Sequence, residues 1–394
     1  MRLISLRQAA CAAWAVASVC SCSPHNALPA ANTVTANESL RAAAPRCSFK
    51  RQRIVFPSNS TLNDVTAVSG EAWAGGSANY GTTPFVAHFA KGGWKVQNLP
   101  TKGAVVNRLS GLAAVSSKSV WGVGRYNDNT GHSQPLAEHW DGKAWKAVAL
   151  PAAGTDGSLY LVTAFGSTDV WATGSINTGP TSYAPLMTHW NGHQWVVMKT
   201  TFKPALSTQT EFSTAPLSAL GSVQGGLNSY TSSGGWQSYL TQYVTTGPWT
   251  ATAVPNQGNQ QNILSAMLPS SNALVLFGYG QTSSTALSQS WVLDYGPHGF
   301  TKEAFPKANA TIFAAARSSK AGTIAVGATF VNQTEYYAAG FLSWRGKWYA
   351  LPREKTFGTY LSVTAIPGTP DFWAVGNVSS SGPPFVDRID CPVM

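Results

Sequence analysis

AEHWDGKAW (Ala137 to Trp145) and MTHWNGHQW (Met187 to Trp195) are nearly the same phrase, and a chain that repeats a phrase repeats a shape. Aligning on it recovers further copies. GEAWAGG (70–76) leads into PFVAHFAKGGWKVQNLP (84–100), SVWGVG (119–124) into PLAEHWDGKAWKAVALP (135–151), and DVWATG (169–174) into PLMTHWNGHQWVVM (185–198). Towards the far end come TIAVG (323–327) with GFLSWRGKWYALP (340–352), and then DFWAVG (371–376). The last glycines of the leading phrase are Gly76, Gly124, Gly174, Gly278, Gly327 and Gly376, at spacings of 48, 50, 104, 49 and 49. The gap of 104 is two periods, with an eroded copy between Ser218 and Trp249 in which GGWQSYLTQYVTTGPW keeps only the latter half. Gly76 to Gly376 is therefore six periods, which makes seven units.

Each unit reads as four short strands. In the second, LSGLAAVS is an apolar strand, VWGVGRY alternates, LAEHW follows a longer polar loop, and AWKAVAL follows at once. Asp141-Gly142 and Asn191-Gly192 are expected to form type I′ hairpin turns, with Arg345-Gly346 approximating one. Length alone, at 394 residues, would suggest two or three domains. The period overrides that: a four-stranded antiparallel unit repeated seven times is an all-β, seven-bladed β-propeller. Charged residues at only 11% and abundant Gly, Ser, Thr and Trp agree with an all-β chain. The two Trp that flank each turn are expected to fill the wedge between neighbouring sheets.

The ends of the repeat make a second prediction. The last unit stops after its third strand, PFVDRID (384–390), and Cys391 follows; SFKRQRIVFP (48–57) precedes the first unit and has the character of an orphan fourth strand. The N-terminal strand should therefore complete the last blade, which would bring Cys47 beside Cys391 for a disulfide. The other three cysteines, Cys11, Cys20 and Cys22, lie in a leader with Arg2 and Arg7 before a short apolar run from Ala9 to Val19. Its end, Val19-Cys20-Ser21-Cys22, resembles the bacterial lipobox, in which the final Cys is acylated and becomes the new N-terminus. The expected organisation is a lipoprotein signal peptide at 1–21, lipidation at Cys22, a flexible Pro/Ala/Asn/Thr-rich tether at 22–46, and the propeller at 47–394. The protein is then exported and held on the outer face of the cell membrane, or secreted if the leader is an ordinary cleaved one.

The phrase Asp-Val-Trp-Ala-x-Gly followed by His-Trp-Asx-Gly-x-x-Trp resembles the repeat of secreted bacterial propellers related to the kelch/galactose-oxidase type, many of them actinobacterial lipoproteins of unassigned function. The resemblance covers about 345 residues, and is strong in units one to three, partial in six and seven and weak in four and five. It implies a fold and no chemistry. The copper-ligand set of galactose oxidase has no recognisable counterpart here.

The chemistry-bearing residues are sparse. His88, His139 and His189 recur at the third strand of successive blades, on the order of 20 Å apart, too far to share one metal ion. No zinc-type ligand set, nucleophile elbow or phosphate loop is present, so neither metal nor cofactor is expected. The sixteen acidic residues show no pairing of the kind glycoside hydrolysis needs. A formal charge of +10 is spread along the chain with no Arg-rich helix, which argues against nucleic-acid binding. The polar loops joining second to third strands, and fourth strands to the next blade, rim one mouth of a propeller's channel. Tyr80, Tyr126, Asn129, His132, Tyr183 and Tyr336 are the ligand-binding candidates there. The sequence thus points to a monomeric, non-catalytic binding or scaffolding module for a glycan or an envelope protein. The alternative is a carbohydrate-active enzyme, hydrolase or lyase, with its site in the channel mouth.

Overall fold

The computed structural model describes residues 46–393, apart from 104, 152–155, 220–221, 232–233, 244–247, 258–260, 272, 284–285, 307–308, 353–356 and 379–381. The expected signal peptide, Cys22 and all but the last residue of the tether lie outside the described residues. The body is all-β. Among the described residues there are five four-stranded sheets and one larger sheet, which is two blades joined through a single Trp236–Gln261 pair. That makes seven blades. Within a blade the strands run antiparallel in chain order, as in blade two: Asn107–Ser116, Ser119–Asn127, Ser133–Trp140 and Trp145–Val148. First strands of neighbouring blades lie side by side except between blades three and four, where the broken first strand of blade four meets the second and third strands of blade three. The first strand of blade seven lies against that of blade one, so the ring closes.

The recurrent glycine has a backbone cause. Six first strands carry a β-bulge at one place, between Leu62 and Asp64, Leu109 and Gly111, Leu159 and Leu161, Leu264 and Ala266, Ile312 and Ala314, and Tyr360 and Ser362. The residue paired just before the bulge is Gly76, Gly124, Gly174, Gly278, Gly327 or Gly376. A methyl group on any of these would fall between 1.8 and 2.2 Å from a first-strand carbonyl oxygen. Only glycine allows that approach. Blade four has Leu227 at this position, opposite Phe212, and its first strand breaks into Thr210–Phe212 and Leu217–Ala219. It also gains a short extra strand, Phe202–Lys203, parallel to its fourth. This is the eroded unit.

The tryptophans interlock the blades. The fourth-strand Trp195 of blade three meets the second-strand Trp121 of blade two edge-on at 5.2 Å, and Trp94 of blade one meets Trp373 of blade seven at 5.2 Å. Trp145 joins Trp73 in the apolar layer between blades one and two. In blades one to three the second-strand Trp also packs on the third-strand His paired with it: Trp73 on His88 at 4.7 Å, Trp121 on His139 at 4.4 Å, Trp171 on His189 at 4.2 Å. Those histidines are tied to Glu71 (2.7 Å), Ser119 (3.0 Å) and Asp169 (2.8 Å), each two residues before the Trp. In blade seven Arg388 takes the histidine's place and bonds Asp371 at 2.6 Å. Among the described residues no group of three His, Cys, Asp or Glu could hold a metal ion.

The hairpins depart from expectation. Lys91-Gly92 and Arg345-Gly346 take two successive positive φ values, 52° and 78°, 48° and 73°, as a type I′ turn requires. At Asp141-Gly142 and Asn191-Gly192 only the glycine does, and four residues separate the paired tryptophans. The Asx side chain takes over the turn: Asp141 Oδ1 accepts from Lys143 and Ala144 N–H, and Asn191 Oδ1 from His193 and Gln194 N–H.

The ring is closed by the chain's own ends. Ser48–Arg51 pairs antiparallel with Pro384–Asp390 and supplies the fourth strand of blade seven. Arg51 holds the buried Asp387 through both carboxylate oxygens (2.6 and 3.1 Å), Tyr360 donates to the same carboxylate at 2.6 Å, and Phe49 packs towards blade six beside Gly340. Immediately before this strand, Cys47 is bonded to Cys391 across 344 residues of sequence.

Candidate functional site

The repeat supplies its own internal reference for what is unusual. Just above the bulge, each first strand places one residue directly opposite one on the second strand, giving seven equivalent pairs around the channel. In blade order they are Thr61–Ser77, Arg108–Arg125, Ser158–Ser175, Glu211–Asn228, Ile263–Tyr279, Thr311–Ala328 and Thr359–Asn377. Small side chains are the commonest choice, and in blades one, four and seven the second-strand member ties its blade to the next one. Ser77 Oγ accepts from Leu109 N–H (3.1 Å), and Asn377 exchanges two hydrogen bonds with the Leu62 backbone (2.9 and 2.8 Å). Asn228 does the same with Leu264 (3.1 and 3.2 Å). Blades two, four and five depart from small side chains with two arginines, a glutamate, and an Ile–Tyr pair.

The bulge residues form a second ring just below: Asn63, Ser110, Tyr160, Ser265, Phe313 and Leu361, with Ser213 opening the break in blade four. Where this ring meets the unusual pairs, a small hollow of about 30 Å³, partly open to solvent, spans blades three to six. Its polar wall includes Tyr160, Glu211, Ser213, Asn228, Ser265 and Tyr279; Phe212, Ile263 and Phe313 supply apolar surface. Tyr279 and Phe313 meet edge-on at 5.9 Å. Glu211 is the one carboxylate among the described lining residues.

The charges are segregated. Burial raises the Tyr160 phenol to about 12, aided by nearby Glu211 and opposed by the Ser175 hydroxyl (2.8 Å) and by Arg125. Tyr160 therefore stands between a cationic corner in blade two and an anionic one in blade four. Burial likewise raises the Tyr183 phenol, with Glu211 and Tyr160 adding to it. Arg108 is shifted down by burial and then by Arg125 opposite. Both phenols stay neutral donors at physiological pH, and Tyr160 gives the hollow a lining suited to hydroxylated or mixed polar–apolar groups.

The six candidates read from the sequence all sit at this end of the ring, Tyr80 on blade one, Tyr126, Asn129 and His132 on blade two, Tyr183 on blade three and Tyr336 on blade six, and none lines the hollow. Tyr80 is 75% exposed on a short turn, Asn79–Gly81. Tyr126 lies under the Lys102 ammonium at 5.6 Å. Asn129 is exposed on a turn organised by Asp128, whose carboxylate accepts from Thr130, His132 and Gln134 and is held down at about 2 by those bonds, the Thr130 hydroxyl first. His132 pairs with Asp156 at 3.2 Å. Tyr183 is buried and bridges to Gln209 in the connection to blade four. Tyr336 stacks on Phe357 at 4.7 Å. The paired ring and the bulge ring escape a reading of sequence alone. The signal for them is the pair of residues flanking the first-strand Leu, Ile, Phe or Tyr opposite each repeat position, which is visible only once the first strands are aligned on the bulge.

No family model matches the sequence, and no curated protein matches it. Solved structures do match in fold. YCF48 bound to D1 peptide is similar over 88% of this chain and 98% of its own, at 11% identity and TM-score 0.50. A polysaccharide lyase, the PL25 ulvan lyase bound to -[GlcA(1-4)Rha3S]-, is similar over 87% of this chain and 96% of its own, at 9% identity and TM-score 0.57. At such identities the likeness is one of fold, and the fold is a β-propeller.

Proposed function

We propose that this protein is a non-catalytic binding module that captures a glycan or peptide at the channel mouth. In this proposal the kelch-like propeller acts as a monomer on the outer face of the cell membrane, held by a lipid on Cys22 after removal of the 1–21 signal, with 22–46 as its tether. The observation that carries the reading is the hollow across blades three to six, where the repeat replaces its structural Thr and Ser with Glu211, Ile263 and Tyr279. Aromatic faces, amide and hydroxyl groups in a preformed concavity bind ligands without further machinery. Propellers of like fold have been solved with a peptide and with a glycan, so both ligand classes have precedent on the architecture.

Catalysis is the second reading, favoured by the closeness of Glu211 to Tyr160 and Tyr183. Most glycoside hydrolases use two carboxylates and the described lining holds one, which favours a lyase over a hydrolase. The test is retention of the purified chain on glycan and peptide arrays, repeated with Tyr279→Ala. Loss of capture with that variant supports the module. Turnover of a retained polysaccharide that disappears in Glu211→Gln would overturn the non-catalytic reading.

A further inference from the structure

Blade two carries the sharpest departure from the internal pattern. Five of the seven pairs are uncharged and one has a single acid; Arg108 and Arg125 alone place two like charges directly opposite each other on adjacent strands. Such a pair is unfavourable in a free sheet, and here it is set into the wall of the ring, where burial already disfavours the Arg108 cation. It occupies the position at which Ser77, Asn228 and Asn377 tie blade to blade, so blade two departs from that tie in favour of charge. Two guanidinium groups offer planar forks that match carboxylate and sulfate oxygens.

The neighbouring turn of blade one points the same way. A methyl group on Gly81 would fall 2.4 Å from Arg108 Nε, so the turn lies directly on this side chain. Just before it, Asn79 and Tyr80 both adopt left-handed backbone, φ 50° and 59°, a conformation glycine would take more cheaply. The strained turn presents Tyr80, 75% exposed, as an aromatic surface one residue before the glycine that lies on Arg108. An aromatic face next to an anion-binding fork is the combination that recognises an acidic sugar: the ring stacks, and the acid group is held.

Building on the binding-module reading, we infer that the ligand is an acidic glycan, its carboxylate or sulfate seated between Arg108 and Arg125 and a sugar ring stacked on Tyr80. Hydroxyls further along the chain then meet Tyr160 and Glu211 in the hollow. The body's positive charge assists encounter.

Affinity electrophoresis of the full chain through gels containing polygalacturonate, an acidic polymer, or dextran, a neutral one, tests this. Polygalacturonate should retard the protein and dextran should not. Arg125→Gln should weaken retardation about tenfold or more, Tyr80→Ala about threefold or more, and Lys91→Gln, on an exposed turn at the far end of blade one, should leave it unchanged. Arg108 Nε is buried in the wall, so Arg125→Gln and Arg125→Lys carry the test if Arg108→Gln fails to fold; the fork argument requires the lysine variant to be impaired as well. Equal effects of Lys91→Gln and Arg125→Gln would mean diffuse charge attraction and overturn the inference. Equal retardation by dextran would overturn the acidic preference while leaving a glycan module standing. Retardation by neither polymer also overturns the inference, and the module reading then rests on peptide capture alone.

Discussion

Replacing Glu138 by Gln should remove a pH-dependent destabilisation built into the layer between blades one and two. Glu138 is fully buried, and neither carboxyl oxygen has a hydrogen-bond partner among the described residues. Its strand partner is Gly122, where an added methyl would meet Leu109, Leu112 and Trp145, so the carboxyl shares their apolar layer. Burial pushes it from an ordinary 4.5 up to about 8, with the Lys102 charge opposing. The folded state thus keeps a proton that the unfolded chain releases, and stability falls as pH rises from 4.5 towards 8 and levels off above. At about 1.4 kcal/mol per pH unit, burying this carboxyl costs about 3 kcal/mol of stability at pH 7, where the folded state must keep its proton, and about 5 kcal/mol at the upper plateau. Gln keeps the shape without the titration; its buried amide adds a constant penalty of about 1–3 kcal/mol, so the diagnostic is the slope and not the absolute value. Urea unfolding of both proteins at half-unit steps from pH 5 to 9 measures it. The stability of Glu138→Gln relative to wild type should climb by several kcal/mol across that range. A difference that stays flat within about 0.5 kcal/mol would show that the carboxyl is solvated or paired, and the burial argument would be wrong.

Other outcomes follow from the same geometry. Gly124→Ala should cost about 3 kcal/mol or more by forcing a methyl to 1.8 Å from Arg108 O, whereas Gly93→Ala, with nothing within 4 Å, should be near neutral; paired denaturation curves compare them. Trp121→Ala should lose about 3–5 kcal/mol, because the ring contacts Trp195, Trp190 and His139, and a drop in melting temperature without loss of β-sheet circular dichroism would check it. Tyr360→Phe removes a 2.6 Å hydrogen bond to buried Asp387 and should cost about 1.5–3 kcal/mol, measured as a shift in urea midpoint.

The parts of the fold legible in sequence were those fixed by backbone sterics or by bulk. The period could be read because a carbonyl presses on the same glycine in six blades, and because every interface needs a large flat filler such as Trp94, Trp145 or Trp195. Ring closure could be read because a missing fourth strand and an orphan one are complementary whatever their residues. Blade four hid itself because Leu227 stands where the glycine belongs and the bulge widened into a break. The Asx-Gly turns misled because a dipeptide sets only backbone tolerance, while the side chain of Asp141 or Asn191 can cap two amides and lengthen the loop. The site was least legible. Tyr160 reads as one more apolar residue of SLYLVTAF until the bulge turns it towards the channel, and Arg108 and Arg125 lie seventeen residues apart until register sets them face to face.

Everything rests on a ring whose opening segment is the last blade's outer strand. Digesting the folded, oxidised protein without reduction and identifying the linked peptides tests that most directly. The account requires one cross-linked species joining Cys47 to Cys391, with neither residue alkylated before reduction. Recovery of both cysteines as free, alkylated thiols, or of either bonded elsewhere, would contradict the closure and the blade count built on it.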